Sequence, residues 1–370
     1  MTHSPLLRSD QTLFRDPDVF DFAYMPGHLH HRDAQLQELA FLLQGAGPRN
    51  AVLRGPPGTG KTTTVRRAFF ELTGEFIPVY VNCRQNHTLL AVYRCIAKDL
   101  LGYASPSRHL DDTREAIAAR LGEKDARLLV CLDDANYLIA AGTYNLLLYQ
   151  LLRLYEGWEE IRGAGVFAVT SDLALNLYAE ADASVRSVFR PAEVTFLPYA
   201  RAEIRDILAD RARQGLYPGV MPAPLLDRIA RIAAEEQDIR VGIDLIRAAV
   251  RRAEADGRRR VTPGDLAAAV RVTTAPVLQA RVTDLSAGER ALLCRIAEHA
   301  REGADMASGA VFEAAREYLA VGKSTYHEHL KALAKIGIVD LVPGPGRGQE
   351  REVRLRYDPD EVVSVCTYPD

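Results

Sequence analysis

The sequence is poor in groups that would signal metal or disulfide chemistry. Its five cysteines, Cys83, Cys95, Cys131, Cys294 and Cys366, form no C-x-x-C pair and show no zinc-ligand spacing. Cys83, Cys95 and Cys131 stand in apolar stretches, where a thiol acts as a small buried residue of a reducing compartment. No apolar run approaches a membrane span, and the start of the chain lacks a signal-peptide core. The expectation is a cytoplasmic protein with no membrane partner. There is no internal repeat, no low-complexity block, and no aromatic stripe or basic helix that suggests RNA. Charge of one sign is also missing: the net charge is −3, so any nucleic-acid surface must be local. The remainder is ordinary for a globular chain. It has 370 residues, 48% of them hydrophobic and 26% charged, enough for about two or three domains.

Against this plain background one stretch stands out: Gly55-Pro56-Pro57-Gly58-Thr59-Gly60-Lys61-Thr62, followed by Thr63. It fits G-x-x-x-x-G-K-[ST] at every fixed position. The apolar run Ala51-Val52-Leu53 leads in as a strand, and Thr63 to Leu72 follows as a helix. Glycines let successive N–H groups turn inward around phosphate oxygens, and the helix N-terminus adds its positive end. The bland alternative is a chance glycine turn before a helix. The functional one makes ATP or ADP the ligand, with Lys61 on the outer phosphates and Thr62 on Mg²⁺.

Further strands are read at Ile77–Asn82, Arg127–Leu132, Gly165–Thr170 and Ala192–Phe196, with helices between them. Pro78 argues that its strand is an edge. Helices are expected at Arg32–Leu43, Thr88–Leu101, Asp111–Leu121 (Asp111 or Asp112 as N-cap) and Tyr144–Leu154. Apolar strands separated by helices indicate a parallel sheet covered on both faces. From Arg201 the strands stop. Three or four helices are read there: Arg201–Gln214, Pro224–Glu236, Arg240–Asp256 and Pro263–Val272. The last is announced by Thr262 as N-cap, Pro263 behind it and Asp265 three residues on. After a connecting stretch Thr273–Thr283, helices at Ser286–Ala300, Gly309–Tyr318 and Ser324–Ile336 precede a hairpin of Val339–Val342 and Arg351–Tyr357. That order is a winged helix-turn-helix.

Leu128 to Asp134 delivers two carboxylates from an apolar strand. Asp133 would orient Mg²⁺ or its water shell, and Asp134 would polarise an attacking water. An ordinary solvated strand end is the alternative for the pair taken alone.

With these motifs the chain resembles the archaeal origin-recognition and cell-division-control initiators of the AAA+ ATPases. The likeness runs through Leu13-Phe14-Arg15-Asp16, Tyr24 to His31-Arg32-Asp33, Val79 to Arg84, Pro198-Tyr199, Asp206-Ile207-Leu208, and Asp238-Ile239-Arg240 with Ile243 to Arg247. It implies an AAA+ base over 1–200 with a parallel five-stranded sheet, a helical lid over 201–275 and a winged-helix DNA-binding domain over 281–370. It also implies that Arg240 reaches the outermost phosphate from the lid, and that Tyr199 and Arg211 approach the nucleotide. On residue type alone Arg240 is a solvated helix residue, Tyr199 a packing aromatic and Arg211 a surface charge. Three positions depart from the family pattern. Asp134 replaces the usual glutamate, Ser171 the usual asparagine after the fourth strand, and Ser184 the expected arginine finger, with Arg186 two residues on. All three weaken hydrolysis more than binding, so tight binding and slow turnover are expected.

Residues 316–356 carry eight basic against five acidic residues, while 281–370 as a whole is net −3 (12 basic, 15 acidic). A concentrated charge suits a docking face. Lys323, Ser324, Thr325, Tyr326 and His327 open a helix fit for phosphate and base-edge contacts, and Arg347 lies in a glycine- and proline-rich wing. A winged helix used for protein contacts is the alternative. The resemblance also implies a second DNA contact, for which Gln85 to Tyr103 with Arg84, Arg94 and Lys98 is the candidate; a solvated charged helix face is the alternative. The resemblance points to a DNA replication initiator that binds duplex origin DNA and recruits or loads the replicative helicase, ATP acting as a switch; an oligomer on DNA is left open. An ATP-regulated transcription factor and an actively hydrolysing loader are the competing readings.

Overall fold

The computed structural model describes residues 12–44, 50–72, 74–103, 109–158, 161–319, 321–343 and 351–367. They fall into two compact units. The first is Pro17–Gln214 with Ala230–Gly242; the second is built from the residues up to Asp16, Gly215–Ile229 and Ile243–Asp370.

The first unit opens with a 3-10 turn, Pro17–Phe20, then runs α1 (Asp33–Gln44), β1 (Ala51–Arg54), α2 (Lys61–Phe70), β2 (Phe76–Asn82), α3 (Leu89–Leu101), α4 (Leu110–Lys124) and β3 (Arg127–Asp133). It continues with α5 (Asn136–Ala140), α6 (Tyr144–Leu152), α7 (Leu154–Gly157), β4 (Ala164–Thr170), α8 (Ala183–Arg186) and β5 (Ala192–Thr195). All pairings are parallel and the strand order is β2-β3-β4-β1-β5. β2 is an edge, as Pro78 requires. Alternate residues supply two cores. Leu128, Val130 and Leu132 face α3, α4 and α6, while Leu129 and Cys131 face α1 and α2. Because β4 lies between β1 and β3, the loop after β1, Ser171 after β4 and the acids ending β3 all emerge at one edge of the sheet. Ligands of open α/β sheets bind there, beyond the carboxyl ends of the strands.

Several sequence-level boundaries shift. The N-cap of α4 is His109, whose side chain does not cap the helix, rather than Asp111 or Asp112, which lie in its first turn. α3 is a buried crossover between β2 and β3, with Val92, Tyr93, Ile96, Ala97 and Leu100 in the core.

Beyond the sheet come α9 (Arg201–Gly215), α10 (Ala223–Glu235), α11 (Ile239–Ala255) and α12 (Pro263–Thr283). The expected start of α12 is present as a capping box. Thr262 N–H donates to Asp265 Oδ2 at 2.8 Å, and the Asp265 N–H returns to Thr262 Oγ1 at 3.4 Å. Its expected end is wrong: the helix runs through 273–283 with Pro276 inside it.

The second unit ends in α13 (Ala287–Arg301), α14 (Ser308–Arg316), α15 (Lys323–Lys335), the antiparallel pair β6 (Val339–Pro343) and β7 (Arg351–Leu355), and α16 (Pro359–Thr367). Three helices and a hairpin form the winged-helix arrangement, with a third short bridge between Ala307 and Glu352. Its core joins Leu292, Ile296, Val311, Tyr326, Leu330, Val353 and Val362. α16 was not anticipated, since Val362, Val363 and Val365 favour a strand by composition. Here Val362 is buried in the core and Val363 and Val365 pack at its edge.

Candidate functional site

The glycine loop spans the end of β1 and the start of α2. Gly60, the residue before α2, holds φ 85°, a left-handed conformation open to glycine without strain. A Cβ there would also stand 2.6 Å from the Tyr199 hydroxyl. Lys61 is buried, and its Nζ donates to the carbonyls of Gly55 at 2.6 Å and Pro56 at 2.7 Å. Burial pushes its ammonium down to about 8, against the opposing pull of Asp133 and Asp134. Both acceptors are neutral, so phosphate oxygens are the better partners for this ammonium.

Thr62 Oγ1 donates to Asp133 Oδ2 at 2.7 Å, so the hydroxyl of α2 and the carboxylate of β3 already share one point. Tyr80 donates to the same oxygen at 2.6 Å. Its phenol is held far above the ordinary range by burial and by the Asp133 charge. Among the described residues no group of three or more His, Cys, Asp or Glu could hold a metal on its own. That donor set fits Mg²⁺, which takes one or two protein oxygens and completes its octahedron with phosphate and water. The glycine cradle, Lys61 and the Thr62–Asp133 pair likewise fit a nucleoside polyphosphate. Asp134 follows at φ 55°; its carboxyl is raised by burial first and by Asp133 second. Arg84 and Arg240 act on it with the opposite sign.

In the sequence Arg32 is only part of a resembling segment; the structure gives it a place. It is buried; Nε donates to the Thr59 carbonyl at 2.9 Å and Nη2 to the Leu197 carbonyl at 2.8 Å. Its guanidinium lies 3.7 Å from the centre of the Tyr199 ring. One side chain thus ties the loop to the strand-end segment bearing Tyr199. No periodicity could have revealed it, because Arg32 stands in the polar run His30-His31-Arg32-Asp33, where an arginine reads as solvated.

Tyr199 therefore comes to the loop, at Gly60. Arg211 is taken up differently. It is buried, donates to the Val19 carbonyl at 2.7 Å and lies 4.5 Å from the centre of the Tyr24 ring. It anchors the segment at 17–24 to α9, where His30 also meets Asp210 at 3.2 Å. Arg240 stands close enough to the loop for its charge to act on Lys61 and Asp134. Arg186 is exposed on α8, while Ser184 donates to Asp182 Oδ1 at 2.6 Å beside it. Arg84 lies in the turn after β2, and its charge acts on Asp134. Lys98 is exposed on α3, whose other face fills the core.

In the winged helix, Lys323, Ser324, Thr325 and His327 are exposed at the start of α15. Tyr326 is not part of that face. It is fully buried, donates to the Ser308 carbonyl at 3.0 Å and packs edge-on against Phe312. The stripe Tyr326, Leu330, Leu333 at helical spacing carried this signal. The basic excess is also partly spent: Arg356 is bound to Asp340 on the paired strand at 2.7 Å, and Arg316 to Glu313 at 3.6 Å. Arg347 lies outside the described residues.

A model of the AAA ATPase domain matches residues 28–169, and one of the Cdc6 AAA+ ATPase-type lid domain matches residues 205–271. Among solved structures, the Aeropyrum pernix ORC2 protein in its ADPNP–ADP complexes aligns with TM-score 0.69 at 25% identity, over 96% of this chain and 98% of that one. The Aeropyrum pernix ORC1 protein in complex with DNA aligns with TM-score 0.62 at 27% identity, over 96% of each chain. ORC1-type DNA replication protein 3 of Haloarcula marismortui is 38% identical over 97% of both chains. ORC1-type DNA replication protein 6 of Halobacterium salinarum is 36% identical, again over 97% of both. Matched along nearly its whole length at these identities, the chain belongs to the family of ORC1-type DNA replication proteins.

Proposed function

We propose that this protein is an ATP-dependent DNA replication initiator that binds duplex DNA at replication origins and recruits or loads the replicative helicase. The observation that carries the reading is the meeting of Lys61, Thr62 and Asp133 at the glycine loop, in a chain that ends in a winged helix with an exposed polar and basic helix start. Membership of the family supplies the replication context. The working division is a nucleotide-binding base over 1–200, a lid over 201–275 and a DNA-binding domain over 281–370.

Each residue of the site has a task. Gly55 to Gly60 would wrap phosphate oxygens with backbone N–H groups, Lys61 would neutralise them, and Thr62 and Asp133 would hold Mg²⁺, which would supply further neutralisation of the phosphate charge. Thr63 continues the α2 N-terminus behind them, and Tyr199 closes the loop from the side. Arg240 senses the outermost phosphate from the lid. Asp134 is the candidate base. Its side chain is one methylene shorter than glutamate, and Ser171 is a short orienting group. Arg186 is the candidate for action in a neighbouring copy's site. Hydrolysis is therefore a slow reset and bound ATP the signalling state. Lys323, Ser324, Thr325, His327 and Arg347 carry the DNA contacts, in a nucleoid-associated, cytoplasmic protein.

Genome-wide immunoprecipitation tests the replication reading. Enrichment at replication origins supports it, and enrichment confined to promoters replaces it with an ATP-regulated transcription factor. A single-turnover hydrolysis rate above roughly 1 s⁻¹, ordinary for phosphoryl transfer enzymes, would overturn the slow switch in favour of an active loader.

A further inference from the structure

Asp238 lies in the turn between α10 and α11, and its carboxylate serves three neighbours. Oδ1 accepts the backbone N–H of Arg240 at 2.9 Å, capping α11. The same carboxylate grips the Arg240 guanidinium, with Nε 3.0 Å from each oxygen and Nη2 2.6 Å from Oδ2. It also lies against the glycine loop: a Cβ built on Gly58 would stand 2.0 Å from Oδ1. Gly58, at φ 72°, leaves the room that this approach needs. The preceding Gln237, at φ 55°, is the left-handed end of α10, closed by the Asp238 N–H on the Ala233 carbonyl at 3.1 Å and the Gln237 N–H on the Ala234 carbonyl at 3.2 Å, and this closure fixes where Asp238 stands.

A helix cap does not need a charge, since serine, threonine or asparagine serves as well. A carboxylate pressed onto a phosphate-binding loop opposes anions. Arg240 and Asp238 are both felt at Lys61, with opposite signs. A bidentate guanidinium–carboxylate contact is also the strong kind of charged hydrogen bond, and its donors cannot serve a phosphate at the same time.

We propose that Asp238 is an internal competitor for the outermost phosphate of a nucleoside triphosphate, setting how strongly the site prefers triphosphate over diphosphate. This rests on the reading of the glycine loop as the nucleotide site. With a diphosphate the Asp238–Arg240 pair stays closed. With a triphosphate Arg240 turns from Asp238 to the third phosphate, and Asp238 keeps only its cap on α11. The exchange moves one arginine between two anions and leaves every covalent bond intact. It tempers triphosphate affinity and gives the α10–α11 turn two positions that report which nucleotide is bound.

The test is a titration of the full-length protein with fluorescent ATP and ADP analogues, with Mg²⁺ present. Asp238→Asn keeps the cap and the shape but removes the charge. The expected result is ATP affinity about tenfold tighter, a change of roughly 1.4 kcal/mol, with a clearly smaller gain for ADP. The ratio of the two affinities therefore rises. Arg240→Ala should lower that ratio, and Asp238→Asn in the Arg240→Ala background should not raise it again. Unchanged affinities in Asp238→Asn, or equal gains for ATP and ADP, would overturn the proposal. Thermal unfolding of Asp238→Asn at the wild-type midpoint shows that the cap is intact; Asp238→Ser repeats the test if it is not. A Lys61→Ala protein with wild-type nucleotide affinity would sink the underlying site assignment instead, whatever Asp238→Asn does.

Discussion

Tyr80 and Asp133 are joined by a 2.6 Å hydrogen bond that links the edge strand β2 to the carboxylate at the end of β3. Asn82 and Asp133 are register partners, which places Tyr80 two residues back on β2. The phenol and the Thr62 hydroxyl both donate to Oδ2. Between them they fix which way the carboxylate points, and Arg66 lies 4.4 Å from the centre of the phenol ring.

Tyr80→Phe should therefore disturb metal-dependent steps more than nucleotide binding as such. Removing a hydrogen bond to a charged group costs about 1.5–3 kcal/mol where nothing replaces it. We expect the Mg²⁺ concentration needed for half-maximal hydrolysis to rise about tenfold, while affinity measured in excess chelator stays within about twofold. Equal losses with and without Mg²⁺ would show that Tyr80 is only packing.

The glycine loop, the Asp133–Asp134 pair, the edge position of β2 and the Thr262 capping box were all legible in the sequence. Each rests on local chemistry: turn glycines, an apolar run ending in acids, a proline without an N–H, a cap three residues from its partner. Tyr80, Arg32 and Asp238 were written in the chain but carried no such signature. Their roles come from contacts across 53 residues for Tyr80 and 165 for Arg32 to Leu197, and from the fold of a turn for Asp238. α12 was cut short because helical periodicity fades over 273–283, where Pro276 also argues against a helix. Tyr326 was misplaced because its residue type outweighed its spacing to Leu330 and Leu333.

Arg32 should behave as a positioning residue of the loop. It holds the Thr59 and Leu197 carbonyls and stacks on Tyr199. Arg32→Ala loses charged hydrogen bonds to the His31, Thr59 and Leu197 carbonyls and a cation–π contact, a destabilisation of about 2–4 kcal/mol. Arg32→Lys keeps the charge, but an ammonium cannot span both carbonyls in the plane of the ring. Thermal unfolding should place the lysine variant nearer to alanine than to wild type, and nucleotide affinity should fall in both.

Lys61 gives the site a pH dependence of definite sign. Its ammonium titrates near 8 in the free protein, below the ordinary 10.5, and a phosphate beside it raises that value again. Between the two values the complex holds one more proton than the free protein. Nucleotide affinity should thus fall as pH rises above about 8, approaching tenfold per unit. Folding has the opposite sign. Between about 8 and 10.5 the unfolded chain holds the extra proton, so this residue adds stability to the free protein as pH rises. Titrations from about pH 7 to pH 10 on wild type and Lys61→Met check both, and the methionine protein should lose both slopes. An affinity independent of pH over that range would mean that Lys61 does not face the phosphates.

The two faces of α15 should separate in DNA binding. Lys323, Ser324, Thr325 and His327 are exposed, whereas Tyr326 is buried and tied to Ser308. Lys323→Ala removes one phosphate-neutralising charge. It should weaken duplex binding across sequences and lower the slope of log affinity against log salt by about 1. Tyr326→Phe keeps the ring against Phe312 and loses the hydroxyl's bonds to the Ser308 carbonyl and side chain. It should cost about 1 kcal/mol of stability and leave the salt slope at its wild-type value. Both measurements are made on the full-length protein with a fluorescent duplex at several salt concentrations. A salt slope that drops in Tyr326→Phe would return the tyrosine to the DNA face, and one that holds in Lys323→Ala would move that face off the start of α15.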